Sequence, residues 1–211
     1  MFVKKLKITV KSPFYYYTHG GVFAGIGDFI GDIAIFYALS YALKGLEFPI
    51  EDKRIEHIKS SDFIVTVGYP ISLKMKKVLI VASTFKDALH MFKDVYAKAG
   101  GSNPYKNIRR IKPIDVNSVY ISYFISKNEY ALPKTFGLRI GVNRDGIIEV
   151  RTLDSDPNDV IWLNIYTLRA KGIPDEEIMR IVSEVTAYNR FYIVAKNVKL
   201  SDFLSLISKY L

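Results

Sequence analysis

The feature that most constrains this fold is an apolar segment, roughly Asp28 to Leu43, which follows a glycine-rich stretch. Phe29, Ile33 and Phe36 recur at helical spacing, and apolar neighbours extend their surface over more than half of the helix circumference. Such a helix is expected to be buried on most sides, with the rest of the chain packed around it. Asp28 stands where an N-cap would be.

Four consecutive aromatic residues, Phe14 to Tyr17, precede this helix, and His19 follows them closely. Alternate side chains of an extended segment point to opposite sides, so Phe14 and Tyr16 are expected on one side. Tyr15 and Tyr17 are then expected on the other. At least one pair should be core. The other pair, with His19, can stack on bases and donate hydrogen bonds to phosphate.

The rest of the chain interleaves predicted strands with predicted helices. Alternating or β-branched runs predict strands at Val3–Val10, Asp62–Gly68, Val116–Ile125 and Tyr192–Ala195. Residues Ile71–Ala82 predict either one long strand or a pair. Asp145-Gly146 predicts the turn of a hairpin between Leu138–Val142 and Ile147–Arg151. Helical spacing and start signals predict helices at Thr84–Ala99, Pro174–Thr186 and Ser201–Tyr210, with Ser201 as a cap.

Three polar stretches, by contrast, are predicted to be loops: Leu46–Ser61, Ser102–Pro113 and Asp154–Asp159. Val160–Tyr166 is compatible with a strand or a helix. The first strand, helix and strand, with the later hairpin, fit an α+β fold with a ferredoxin-like (RRM-like) core carrying a β-hairpin and helical insertions. No repeat or low-complexity linker divides the chain, so 1–211 is predicted to be a single domain.

The charge balance and the absence of cysteine limit the function. Lys and Arg number 30 against 21 Asp and Glu, a formal net charge of +9. This excess favours polyanionic partners, above all nucleic acid, although an anionic membrane surface or a lysine-rich proteome would also account for it. With no cysteine, disulfides, thiolate nucleophiles and cysteine-based zinc sites are excluded. The sequence shows no signal peptide and no membrane span, so a cytoplasmic protein is expected, with no membrane partner and no cofactor.

The basic residues between Ile71 and Gly146 are the main candidates for binding RNA. Arginine grips phosphates, and the neighbouring Tyr105, Tyr120 and Tyr123 offer rings for stacking, although a solvated positive face is the simpler alternative. The set comprises Lys74, Lys76, Lys77, Lys106, Arg109, Arg110, Lys112, Lys134, Arg139 and Arg144.

Other motifs were weighed against simpler roles. The glycines between Gly20 and Gly31 lack the spacing of a phosphate-binding or dinucleotide motif, and a sharp chain reversal or a close approach to a ligand explains them. Asp28 and Asp32 are four residues apart and would share a helix face. A helix cap at Asp28 plus a solvated or salt-bridged carboxylate at Asp32 is favoured over a metal-binding or acid–base pair. Tyr17, His19 and Lys134 offer the groups of a metal-independent ribonuclease, an alternative to a binding protein.

Three stretches resemble one known family. Phe14–Leu43, with FYYYTHGGVF and DFIGDIAIFYALSYAL, looks like the start of the type I-D CRISPR-associated Csc-one family, the Cas-five-type subunits of the type I-D Cascade complex. Ile108–Phe124 is similar to the basic segment and strand of that family, and Leu132–Val150 to its hairpin. The resemblance covers about the first 150 residues. In place of the basic residue that usually follows the hairpin glycine, this chain has Val142, with Arg144 close enough to substitute.

The resemblance implies a ferredoxin-like (RAMP) domain that caps one end of an RNA-guided complex. Its partners would be the CRISPR RNA, the repeated backbone subunit and the large subunit, with target DNA reached through the complex. Its role would be to hold the 5′ repeat-derived handle without catalysis, since the chain lacks the terminal glycine-rich loop of related repeat-processing nucleases. Arg109, Arg110, Lys112 and Arg139 would contact phosphates, and tyrosines would stack on handle bases. A purely structural scaffold remains the third alternative.

Overall fold

The computed structural model describes residues 1–15, 23–24, 28–44, 53–76, 79–81, 109–111, 113–141, 146–189 and 191–211. The strands are β1 Phe2–Val10, β2 Phe23–Ala24, β3 Phe63–Val65, β4 Tyr69–Ser72, β5 Leu79–Val81, β6 Arg109–Ile111, β7 Val119–Ser126, β8 Thr135–Ile140, β9 Gly146–Leu153, β10 Val160–Asn164, β11 Glu184–Asn189 and β12 Tyr192–Lys199. The helices are α1 Asp32–Lys44, α2 Arg54–Ser60, α3 Ile165–Ala170, α4 Asp175–Ile181 and α5 Leu200–Ile207.

The fold is a mixed α/β arrangement built on an antiparallel main sheet. Its strand order is β3-β7-β1-β9-β8, and β4 also pairs with β7. In β1 the apolar residues Leu6, Ile8 and Val10 alternate with lysines and threonine, and all three are fully buried. Because successive side chains of a strand point to opposite faces, these three define the core face of the sheet.

Helix α1 covers that core face. Ile35 and Leu39 lie one turn apart on the helix, are fully buried, and belong to the same apolar cluster as Leu6 and Ile8. Burying a side chain of this size stabilises the fold by about 2 kcal/mol. The apolar segment that dominates the sequence is therefore the helix on which the sheet closes its core.

The opposite face of the main sheet is covered along only one side. Ile121 and Tyr123 of β7 belong to a second apolar cluster with Leu163 of β10 and Phe203 of α5. The C-terminal part of the chain, in which β10, β12 and β11 form a three-stranded sheet, thus packs against β7. Lys7 and Arg151, by contrast, are exposed on this face. One half of the face therefore meets solvent.

Several predicted elements are confirmed. Val3–Val10 is β1, Val116–Ile125 corresponds to β7, and the hairpin predicted from Asp145-Gly146 is β8–β9, although residues 142–145 lie outside the described residues. The predicted region Ile71–Ala82 is not one long strand: it contains the end of β4, which pairs with β7, and the separate strand β5, which pairs with β6. The helix predicted at Thr84–Ala99 also lies outside the described residues.

The predicted start of α1 is wrong, and with it the cap at Asp28. Ile30 donates its backbone N–H to Gly68 O at 2.8 Å and accepts a hydrogen bond from Gly68 N at the same distance. This pairing holds Ile30 in an extended conformation, so the helix begins at Asp32. Asp28 and Asp32 therefore do not share a helix face.

Two predicted loops contain regular structure. Arg54–Ser60, within the predicted loop Leu46–Ser61, form α2 because Ile58 is buried against the core cluster. Arg109–Ile111, within Ser102–Pro113, form β6, whose backbone pairs with both β2 and β5. Contacts with distant parts of the chain therefore determine the secondary structure of both segments, since neither has a strong local pattern.

Three boundaries in the C-terminal part also differ from the prediction. Helix α4 ends at Ile181, and the residues from Glu184 join β11, where they pair with β12. Strand β12 runs on to Lys199 because β10 pairs with it from Val194 to Lys199, across one register shift. Helix α5 begins at Leu200, so Ser201 lies inside the helix and not at its cap.

Among the described residues, no helix combines the length and apolar character that crossing a membrane requires.

Candidate nucleic-acid interface

Three chain segments meet at the end of the main sheet where the β8–β9 hairpin turns. Phe14 and Ile114 exchange backbone hydrogen bonds of 3.2 and 2.9 Å, and Met75 forms a bridge with the same Ile114. On either side of Met75, Lys76 N–H donates to Pro113 O at 3.0 Å and Lys74 O accepts from Asp115 N–H at 2.9 Å. This pairing fixes the backbone from which Lys74 and Lys76 project.

The hairpin is pressed against the same place. A Cβ atom at Gly146 would lie 2.4 Å from Phe14 Cβ and 2.7 Å from Ile140 O, so only glycine fits. Gly141 has φ +87, and a Cβ there would lie 3.1 Å from Tyr15 O. We call this convergence of Tyr15, Lys74–Lys76, Pro113–Asp115 and Gly141 the hairpin end.

A small sheet continues from these segments along the chain. Strand β6 lies between β2 and β5, with Arg110 opposite Phe23 and Ile80, and Arg109 opposite Val81. The segments that meet at the hairpin end adjoin this small sheet along the chain. Tyr15 precedes β2, Lys76 precedes β5, and Pro113 follows β6. Arg109 and Arg110 therefore lie only a few residues before Pro113 along the chain, in a strand that is paired on both sides.

The predicted RNA-binding residues divide into three groups. Lys74, Lys76, Lys134 and Arg139 are exposed, and Tyr15 is half-buried. Arg109 and Arg110 are placed by the backbone of β6. The remaining residues lie outside the described part of the chain: Tyr17, His19, Lys77, Lys106, Lys112 and Arg144.

Lys134 stands apart from the rest of the set. It immediately precedes β8, and its carbonyl oxygen accepts from Thr152 N–H at 3.1 Å. The hairpin end lies beyond the other end of β8, six residues later. At the rise of an antiparallel strand this separates Lys134 from Tyr15 by about 20 Å.

Two tyrosines expected to offer rings for stacking are in the core. Tyr120 and Tyr123 are both fully buried, one on each side of β7. The prediction that their rings accept bases is wrong, because a fully buried ring has no free face. Tyr105 lies outside the described residues. The aromatic content of β7 reflects strand packing rather than a binding surface.

The open half of the main sheet carries cations that the sequence analysis did not include. Lys7 of β1 lies directly opposite Arg151 of β9, and Thr135 of β8 lies opposite Arg151 in turn. Arg139 lies on the same face as Thr135, because the two residues are four positions apart in the same strand. Arg139 is also the one of the two that lies nearer the hairpin end. The alternation in the sequence around Lys7 predicts its exposure, but only the strand order brings it beside Arg151.

Asp32 is a strongly buried carboxylate at the junction of α1 and the C-terminal part. It is 2% exposed. Its Oδ1 accepts from the Asn164 side-chain amide at 2.9 Å, and its Oδ2 accepts from the Thr167 hydroxyl. Burial raises the pKa of Asp32 to about 6, against these hydrogen bonds, which lower it. The prediction of a solvated or salt-bridged Asp32 is wrong; the group ties α1 to α3.

No cluster of three or more His, Asp or Glu side chains within the described ranges is arranged to hold a metal ion. Asp28, the other carboxylate weighed for such a role, is 3.5 Å from the hydroxyl of Tyr188, which donates to it. Asp28 and Asp32 thus have separate partners, on different elements.

Comparison with known proteins gives one positive result. No curated protein matches the chain. The family model described as type I-D CRISPR-associated protein Cas5/Csc1 matches residues 1–202. The match extends beyond the first 150 residues, so it includes the C-terminal sheet for which the sequence offered no resemblance. The chain therefore belongs to the type I-D CRISPR-associated Cas5/Csc1 family.

Proposed function

We propose that this chain is a non-catalytic, CRISPR RNA-binding subunit of a type I-D antiviral effector complex, where it holds the 5′ repeat-derived handle. The observation that carries the proposal is the hairpin end, where backbone pairing gathers Lys74, Lys76 and Tyr15 from distant parts of a chain of the Cas5/Csc1 family. A net charge of +9 supplies the general attraction for a polyanion.

The chemistry proposed for this region separates phosphate contacts from base contacts. Lys74, Lys76 and Arg139 would bind phosphates from exposed positions, together with Arg109, Arg110, Lys112 and Arg144. Tyr15, Tyr17 and His19 would stack on or bond to handle bases. Lysine contacts are point charges and tolerate any sequence, so base identity would be read by the aromatic segment.

The strand order of the main sheet supports the finer proposal of a ferredoxin-like, RAMP-type core. In the order β3-β7-β1-β9, the first strand lies between the third and the last of the four. This is the arrangement of a split βαβ motif. Residues 127–134, where a second crossover helix would be expected, contain no helix and lead instead into the hairpin.

In the complex, the proposed partners are the repeated backbone subunit and the large subunit, in addition to the RNA. The chain would cap one end of the assembly in the cytoplasm. Target DNA would be recognised by pairing with the guide RNA, while protein subunits hold backbone and shape. The chain itself would then contribute affinity for the handle and not recognition of the target.

The test is binding of end-labelled repeat RNA to the purified chain and to the co-expressed effector complex, with EDTA present and salt varied. We expect intact RNA on a denaturing gel and affinity that falls steeply as salt rises. Arg109→Ala/Arg110→Ala should weaken binding about tenfold. The matched control, Lys59→Ala/Lys127→Ala, removes two exposed cations away from the hairpin end and should bind like wild type.

Two results would overturn this proposal. Absence of RNA from both the chain and the complex would favour a structural scaffold. RNA cut in the presence of EDTA, with the cleavage lost in His19→Ala, would favour a metal-independent endoribonuclease.

A further inference from the structure

Two like charges face each other on the open half of the main sheet. Lys7 and Arg151 are direct cross-strand partners in the β1–β9 register, and both are exposed. Directly opposite residues of an antiparallel pair have Cβ atoms only about 5 Å apart, and like charges at such positions destabilise the pairing. The sheet therefore carries a local electrostatic cost at this position.

The other lysines along this strand do not share that arrangement. Lys4 Nζ pairs with Asp154 at 2.9 Å, and Lys5 Nζ pairs with Asp159 at 2.9 Å. Just beyond the strand, Lys11 Nζ lies 3.2 Å from the carboxylate of Glu149. Each of these three lysines therefore has a carboxylate partner. Within the described part of the chain, neither Lys7 nor Arg151 has an ion-pair partner.

The face around this pair extends along β8 toward the hairpin end. Thr135 and Gly137 of β8 are exposed beside Arg151, and Arg139 lies further along the same face. On the other side of β1, Ile121 is buried by the C-terminal part of the chain. We call the exposed area defined by Lys7, Thr135, Gly137, Arg139 and Arg151 the open half-face. It spans β1, β9 and β8, about 10 Å across. Glu149 of β9 lies on the same face opposite Gly137, and its carboxylate pairs with Lys11.

We propose that the open half-face is a second phosphate-contact site, on which Lys7 and Arg151 together bind the sugar–phosphate backbone of single-stranded RNA. A phosphate between them relieves their repulsion, and the arginine fork can bind it in bidentate fashion. Arg139 continues the path toward the hairpin end, so one RNA strand can contact both regions. This inference rests on the proposed function, because it extends the path of the same RNA.

An RNA strand fits this surface better than an acidic protein. Thr135 and Gly137 leave the neighbouring cations accessible, and the carboxylate of Glu149 on the same face is paired with Lys11. A continuous backbone can therefore place successive phosphates on these cations. The contacts involve only phosphates, so they should be independent of base sequence.

The first test compares the salt dependence of binding for two double variants, using fluorescent oligouridine in EDTA. Lys7→Gln/Arg151→Gln should bind about tenfold more weakly than wild type, and the slope of log affinity against log salt should fall by about 1.4, or 0.7 for each lost phosphate contact. The control Lys59→Gln/Lys127→Gln makes the same change in net charge. Lys59 lies on α2, whose Ile58 packs into the cluster on the other face.

The second test uses charge reversal to separate binding from folding. Arg151→Glu places an acid opposite Lys7, so the melting temperature should rise while oligouridine binding weakens about tenfold or more. If Arg151→Glu is both destabilised and unable to bind, the loss of binding could reflect unfolding. The result is then decided by Lys7→Gln/Arg151→Gln, whose melting temperature should not fall.

The outcomes distinguish this inference from the proposed function. If wild type binds RNA and Lys7→Gln/Arg151→Gln matches its control in both affinity and slope, the open half-face is not a contact site, although the hairpin end can still be. If binding of oligouridine and of oligothymidine depends equally on Arg151, the site contacts phosphates alone, as proposed. If only oligouridine binding depends on Arg151, the 2′-hydroxyl is contacted as well, which overturns the assignment of a phosphate-only site. If wild type binds neither oligomer, the open half-face is not a contact site; the proposed function fails only if repeat RNA is also absent from both the chain and the complex.

Discussion

The side-chain amide of Asn164 donates to Asp32 Oδ1 at 2.9 Å, joining the start of α1 to the end of β10 across 132 positions of sequence. The same amide donates to Phe191 O at 2.9 Å. Its oxygen accepts from Tyr166 N at 3.2 Å as the cap of α3 and from Ile193 N at 3.3 Å. Asn164 thus uses every hydrogen-bonding position of its amide to hold the N-terminal and C-terminal parts together.

Asp32→Asn should change how stability depends on pH. The pKa of Asp32 is about 6 in the fold against 3.8 ordinarily, so its folded form binds a proton more tightly. The stability from this group is fully present below pH 3.8 and is lost as pH rises through about 6. Between these two pH values the free energy of unfolding should fall by about 3 kcal/mol because of this group.

Because asparagine does not titrate, the stability of Asp32→Asn relative to wild type should rise by that amount between those two pH values. Urea unfolding at several pH values measures the difference. Asp202→Asn, at an exposed carboxylate, is the matched control. Parallel pH profiles for wild type and Asp32→Asn would contradict the assignment of a raised pKa to Asp32.

Asn164→Ala should be among the most destabilising single substitutions in the chain. It removes the cap of α3 and leaves the buried carboxylate of Asp32 with fewer donors, which together cost about 3 kcal/mol. Thermal and urea unfolding measure the loss. Asn158→Ala, in the exposed turn after Asp156, should change stability by less than about 0.5 kcal/mol. Equal losses for the two variants would show that the Asn164 network contributes little.

Gly146→Ala should separate the hairpin from Phe14. The added methyl group would lie 2.4 Å from Phe14 Cβ, which cannot move without its backbone. We expect a loss of more than about 2 kcal/mol. Gly137 in the same hairpin is the control, since a Cβ there meets only Ile148 O at 3.9 Å. If Gly146→Ala were as stable as Gly137→Ala, the close approach of the hairpin to Phe14 would be wrong.

Tyr120→Phe should leave both stability and RNA binding intact. The Tyr120 hydroxyl is buried with no hydrogen-bond partner among the described residues, and burial raises the pKa of this phenol. Removing an unsatisfied buried hydroxyl should keep or raise stability, by up to about 1 kcal/mol. A filter-binding assay and thermal unfolding check both points. Weaker RNA binding by a variant of unchanged stability would return Tyr120 to the list of stacking residues.

The fluorescence of the single tryptophan, Trp162, should show whether the whole chain unfolds in one cooperative transition. Trp162 stacks on Tyr69 of β4 at 6.0 Å between ring centroids, and Lys196 Nζ lies 4.8 Å from its ring. Because β7 and the C-terminal elements share one apolar cluster, 1–211 should unfold as one domain. The transitions followed by Trp162 fluorescence and by far-UV circular dichroism should then coincide. An earlier fluorescence transition would mean that the C-terminal part unfolds separately.

Local patterns were sufficient for the elements that carry their own signal. The alternation of Val3–Val10, the hairpin signal of Asp145-Gly146 and the apolar helix before Leu43 each depend on neighbouring residues only. The structure contains the strand β1, the hairpin strands β8 and β9, and the helix α1. Arg54–Ser60 and Arg109–Ile111 depend instead on partners far along the chain. Their sequences therefore gave no sufficient signal, and both were expected to be loops.

By itself, the sequence determined the basic charge, the absence of cysteine chemistry, the main strands and the family resemblance, because each follows from composition or from short-range pattern. The tertiary structure decided which charges matter together. Strand order set Lys7 beside Arg151, and packing buried Asp32 beside Asn164. Burial also removed Tyr120 from the candidate stacking residues. Burial and cross-strand register arise from contacts between distant segments, which no local pattern records.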